Sequence, residues 1–104
     1  MRLIASIQGH PTYARAMIYA MDGGVYFFLY DSLEDGYCRA DSWFESLAEA
    51  LDSGLDFGIA ADEWQRIADP LPGAQQDWIA PTKMVRTTEG SLIAVPLDAE
   101  EVVE

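Results

Sequence analysis

Hydrophobic and polar positions alternate most clearly between residues 13 and 31. Two β-prone runs, YARAMIYAM (13–21) and GVYFFLYD (24–31), flank Asp22-Gly23. Asp-Gly between such runs is a strong short-range hairpin signal. With Asp22-Gly23 as a two-residue loop, Tyr19 faces Tyr26, Met17 faces Phe28 and Arg15 faces Tyr30; on the other side Ala20 meets Val25, Ile18 meets Phe27 and Ala16 meets Leu29. Side chains alternate with period two, so the hairpin has one small aliphatic face suited to lying under a helix. Its other face is built of Tyr19, Tyr26, Tyr30, Phe28, Met17, Met21 and Arg15, and needs a cover or a partner.

The spacing changes after residue 40. In DSWFESLAEALDSG, Phe44, Leu47, Ala48 and Leu51 fall at i, i+3, i+4 and i+7, which predicts a helix over 42–53. Ser42 with Glu45 three residues on has the form of a capping box, and Gly54 is expected to supply the left-handed stop. Glu45 and Glu49 then form a like-charge i, i+4 pair that opposes the helix. A short helical segment is expected near 61–68, ending before Pro70. RLIASIQ (2–8) reads as a first strand. TKMVRT and SLIAVP read as a second hairpin over 83–96, with Gly90 at the positive-φ position of its loop.

This order predicts an α+β fold over residues 1–97: a single-layer, mostly antiparallel sheet of about four to five strands packed against one main helix. Residues 98–104 read as an acidic tail, frayed or in one helical turn.

One stretch fits neither period. DPLPGAQQDWIAP (69–81) carries Pro70, Pro72 and Pro81, which fix φ and remove amide donors, so it is no central strand. Gly73 serves a turn after Pro72. The aromatic hairpin face lacks a cover and Trp78-Ile79 is an apolar pair, so this stretch is expected to strap over that face. Gln75, Gln76 and Asp77 would then lie at its outer edge.

Charge narrows the functional reading. The chain of 104 residues has a net charge of −12, from eighteen acids against six bases. Residues 31–77 hold twelve acids against Arg39 and Arg66, while 1–30 and 78–97 are each slightly basic. Such a field repels nucleic-acid phosphate and attracts basic protein surfaces. The amino-terminal residues are too polar for a membrane span, and the single cysteine excludes an internal disulfide, so a reducing cytoplasm is the expected setting.

Catalytic and metal signals are sparse. DSLEDGYCRADS (31–42) matches a calcium loop at Asp31, Asp35 and Gly36 but places Leu33 and Ser42 where ligands belong. One histidine and one cysteine cannot furnish an ordinary structural zinc set, and no metal or cofactor is expected. Nothing brings Cys38 to His10, no phosphate-cradling glycine loop is present, and abundant carboxylates carry no glycosidase spacing. The three tryptophans are expected to be core or semi-core residues, with Trp78 the best candidate for a partner contact.

The expectation is therefore a non-enzymatic, acidic protein-interaction domain that docks on a basic protein surface. In size, charge and composition the chain resembles small acidic inhibitors and immunity or antitoxin-type partners made by bacteria, without sharing a motif with them. Asp31, Glu34, Asp35, Asp41, Glu45, Glu49, Asp77 and Trp78 are the expected contacts. A ligand or peptide on the aromatic face around Tyr19, Tyr26, Tyr30 and Arg15 is the alternative. A small enzyme using Cys38 or a carboxylate pair ranks after it, and self-association through the tyrosine face or a free sheet edge is compatible with all three.

Overall fold

The computed structural model describes residues 1–99; most of the expected tail, residues 100–104, lies outside the described residues. The aliphatic and aromatic runs form an antiparallel five-stranded sheet in the order β4-β3-β2-β1-β5, from β1 (Arg2–Ser6), β2 (Arg15–Met21), β3 (Gly24–Tyr30), β4 (Ala40–Phe44) and β5 (Gln65–Ile67). One helix, α1 (Leu47–Leu55), packs on it. A second hairpin, β6 (Thr82–Arg86) with β7 (Leu92–Pro96), makes a separate two-stranded sheet. The architecture is thus the α+β arrangement expected, with the second hairpin standing apart from the main sheet instead of extending it.

The central hairpin has the register read from its turn: Arg15 pairs with Tyr30, Met17 with Phe28, Ile18 with Phe27 and Tyr19 with Tyr26. The positive φ near the turn belongs to Gly24, at 155°. A Cβ on Gly24 would lie 1.8 Å from Cζ2 of Trp43, so the glycine is required by the indole that crosses it.

The helix is shifted from its expected 42–53. Residues 40–44 pair with β3, setting Phe44 against Val25, Trp43 against Tyr26 and Asp41 against Phe28, so Trp43 stands on a strand and not on a helix. The chain contains two S-x-x-E sequences, and the fold uses the second. Ser46 is the N-cap, its Oγ accepting from the Glu49 N–H at 3.2 Å, while Glu49 Oε2 accepts from the Glu45 N–H at 3.4 Å. Glu45 thus lies outside the helix. Glu49 sits in its first turn, where an acid complements the dipole, which removes the expected like-charge conflict.

Gly54 does not stop the helix; the left-handed glycine is Gly58, at φ 76°. Gly54 is buried within α1 because a Cβ there would meet Trp64 Cζ2 at 2.9 Å. The segment expected to be helical at 61–68 has only a 3-10 turn at Ala61–Glu63, followed by β5. Pairing with β1, Ile67 against Arg2, draws those residues into the sheet edge.

Two covers close the sheet. Under α1 lie Ala5, Ile7, Ala16, Ile18, Val25, Phe27 and Leu29, joined by Ala50 of the helix and Ile59 beyond it. Each large member of such a core contributes about 1.5–3 kcal/mol by leaving water. On the opposite face Met17, Phe28 and Tyr30 are buried with Ile79 of the 69–81 strap packed against them.

Candidate functional site

The strap is held by polar side chains that reach out of the sheet and bond its backbone. Arg2, only 2% exposed, donates to four carbonyls: Nε to Ala68 O at 2.8 Å, Nη1 to Gln76 O at 3.1 Å and Trp78 O at 2.6 Å, and Nη2 to Ile79 O at 3.3 Å. Burial pulls the Arg2 pKa below its ordinary value, and Tyr30, Asp69 and other groups partly offset this. Asp35 supports the same segment from the other side, accepting from the Ile79 and Ala80 N–H groups at 2.8 Å each. Tyr30 donates to the Asp77 carbonyl, and the Asp77 carboxylate accepts from the Cys38 N–H at 3.0 Å. Leu71-Pro72-Gly73-Ala74 forms the turn expected after Pro72, closed by Ala74 N to Leu71 O at 2.9 Å, with Gly73 at φ 84°.

The cover is incomplete. It buries Tyr30 and Arg15, whose guanidinium carbon lies 3.9 Å from the Tyr30 ring centroid and whose Nη2 donates to Glu34 O at 3.4 Å. Among the described residues, Arg15 Nε and Nη1 have no hydrogen-bond partner. Toward the hairpin turn the strap stops short of Tyr19 and Tyr26, which stay half-buried. There a cleft of about 470 Å³ opens. Its sheet wall is Tyr26, Phe28 and Asp41, its strap wall is Gln75, Gln76 and Asp77, and Cys38 also lines it. Tyr26 stacks on Phe28 with centroids 5.5 Å apart and 12° between planes, and Trp43 meets Tyr26 edge-on at 5.0 Å. Trp43 is 49% exposed, in contrast to the semi-core position expected of it. Trp64 packs edge-on against Phe27 at 6.0 Å, and Trp78 is half-buried against Tyr37 at 5.2 Å.

The acidic stretch divides between two edges. Asp41 and Glu45 follow the β4 edge of the sheet, while Glu34 lies in the loop before β4, its carbonyl bonded by Arg15 of β2; all three are exposed and make no side-chain hydrogen bond or ion pair among the described residues. Asp62 and Glu63 lie in the turn leading to β5, at the opposite edge. Asp31 is within 3.3 Å of Arg39 in an exposed pair of little energetic weight. Both carboxylate oxygens of Asp35 and one of Asp77 are committed to backbone N–H groups, as above.

Thiol chemistry finds no support in this geometry. Cys38 lies on the strap side, where burial, with the Asp77 carboxylate next in weight, pushes its thiol up to about 11. His10 packs against Phe57 at 5.6 Å, a residue of the helix-covered cluster, and its Nδ1 accepts from the Thr12 and Tyr13 N–H groups. The two residues therefore belong to opposite faces. Among the described residues no three His, Cys, Asp or Glu side chains gather as a ligand set, and no helix is long and apolar enough to cross a membrane.

Sequence reading overlooked Arg2 and Gly24. A signal existed for the first: an arginine inside an apolar strand run, on the parity of Ile4, must find buried acceptors. None existed for the second, because the pairing of β4 with β3 is what brings Trp43 over the turn. No protein-family model matches the chain, and neither a curated protein nor a solved structure is significantly similar to it.

Proposed function

We propose that the protein is a non-enzymatic interaction domain that docks the β4 edge of its sheet on a basic protein surface, as an inhibitor or immunity-type partner does by occlusion. The supporting observation is the pair of carboxylates along that edge, Asp41 and Glu45, with Glu34 in the loop before it. All three are exposed and uncommitted among the described residues, and Asp41 and Glu45 flank the half-exposed indole of Trp43. An acidic edge beside an aromatic anchor suits a hot spot with charge-steered association. Asp35, Asp77 and Glu49 serve the fold itself, so their contribution to docking is through field more than contact.

Capture of partners from a lysate at low and at high salt tests this reading. The expected result is retention of basic proteins at low salt, released as salt rises because exposed charges are screened beyond about 10 Å at 0.1 M, and lost in a Glu34→Lys/Glu45→Lys variant that folds normally. Retention that ignores both salt and the charge reversal would overturn it.

A further inference from the structure

The geometry points to the cleft between Tyr26 and the strap as a socket for a guanidinium group, filled by an arginine side chain of the basic partner; this rests on the docking reading above. Aspartate is a poor strand residue, yet Asp41 lies inside β4, across from Phe28, and its side chain bonds to nothing among the described residues. The fold gains nothing evident from it. Asp41 lines a cavity whose neighbouring wall is the parallel ring pair of Tyr26 and Phe28, with the Trp43 indole edge-on against Tyr26 just outside the lining.

A planar cation matches both surfaces at once. Guanidinium stacks on aromatic faces and presents paired N–H donors to a carboxylate, which an ammonium group cannot do in the same geometry. Gln75 and Gln76 line the far wall, and their side-chain amides can supply neutral acceptors. Among the described residues no basic side chain lines the cavity to compete for Asp41, and Asp77 adds negative field while remaining bound to the Cys38 N–H. A volume of about 470 Å³ falls within the usual 300–1,000 Å³ of ligand sites. An anionic ligand would meet two carboxylates there, and a purely apolar one would strand them.

The experiment is a two-dimensional NMR titration of the full chain with N-acetyl-arginine amide, and in parallel with the lysine and citrulline analogues. Citrulline keeps the shape and removes the charge. Arginine amide is expected to shift the Trp43 indole N–H and the Tyr26 and Asp41 amides along one saturating curve. Lysine should bind at least about threefold more weakly and citrulline not measurably. Asp41→Asn should weaken arginine binding at least about fivefold, whereas Glu45→Gln, on the same edge but outside the cleft, should change it less than about twofold. Equal midpoints for arginine and citrulline, equal midpoints for arginine and lysine, or equal losses in the two variants would each overturn the proposal, as would the absence of any shift. Loss of arginine-specific shifts with salt-sensitive capture retained strikes the socket alone. Arginine binding without basic partners strikes the docking reading alone.

Discussion

The two faces of the five-stranded sheet are closed by different means. The aliphatic face meets a regular helix, and everything between them is apolar packing. The aromatic face carries Arg2, Arg15 and the phenol of Tyr30, and it is closed by an irregular strap. The difference follows from hydrogen-bond supply. A helix has spent its internal carbonyls on its own N–H groups, so it can offer Arg2 nothing. The proline-rich strap has free carbonyls at Gln76, Trp78 and Ile79, joined by Ala68 just before it, and free N–H groups at Ile79 and Ala80 for Asp35. Polar tips on a sheet face thus select an irregular cover, because a buried donor left alone costs several kcal/mol.

The sharpest way to break this comparison is Arg2→Leu. It leaves three strap carbonyls and that of Ala68 without their donor, and a loss of about 3–5 kcal/mol in urea unfolding is expected. Arg2→Lys should recover little of it, since one ammonium cannot span four acceptors. A loss under about 1 kcal/mol would mean that Ile79 and Trp78 hold the strap by packing alone. Asp35→Ala comes next, at about 2 kcal/mol for two backbone donors left without an acceptor. Amide exchange should accelerate first at Ile79 and Ala80, with α1 unaffected below the global limit.

On the helix face the expected failure is steric. Gly54→Ala should gain about 1 kcal/mol of helix propensity and lose more than that to the clash with Trp64, for a net loss of about 1 kcal/mol by thermal unfolding. In a Trp64→Phe background the same change should turn neutral or favourable. The smallest effect concerns Cys38. With its thiol pushed up to about 11 from an ordinary 9.0, alkylation should be slow at neutral pH and rise with pH to a midpoint near that value. A folded-state pKa above the unfolded one contributes stability that is present below about pH 9 and lost as pH rises toward 11. Asp77→Asn should lower the alkylation midpoint without restoring the ordinary value, because burial is the larger cause. A midpoint at the ordinary value in the unaltered protein would show that the strap does not enclose the thiol.

What was readable in the chain was local. The Asp22-Gly23 turn with period-two alternation determined the whole register of the central hairpin, Arg15 against Tyr30 through Ala20 against Val25. Pro70, Pro72 and Gly73 determined that residues 69–81 form no central strand and turn after Pro72. Each of these depends on backbone dihedrals and neighbours a few residues apart. The two S-x-x-E sequences were locally equivalent, and only the hydrogen bonds β3 offered to residues 40–44 chose between them. The acidic run from 31 to 77 looked like one surface. The fold separated Asp41 and Glu45, at the β4 edge, from Asp62 and Glu63, before β5 at the opposite edge, and turned Asp35 and Asp77 to backbone donors, leaving Asp41 facing the aromatic cleft. Composition determined that this protein would be acidic. Which carboxylates stay free for a partner was decided by long-range pairing, since a charge is spent wherever the fold leaves an amide without an acceptor.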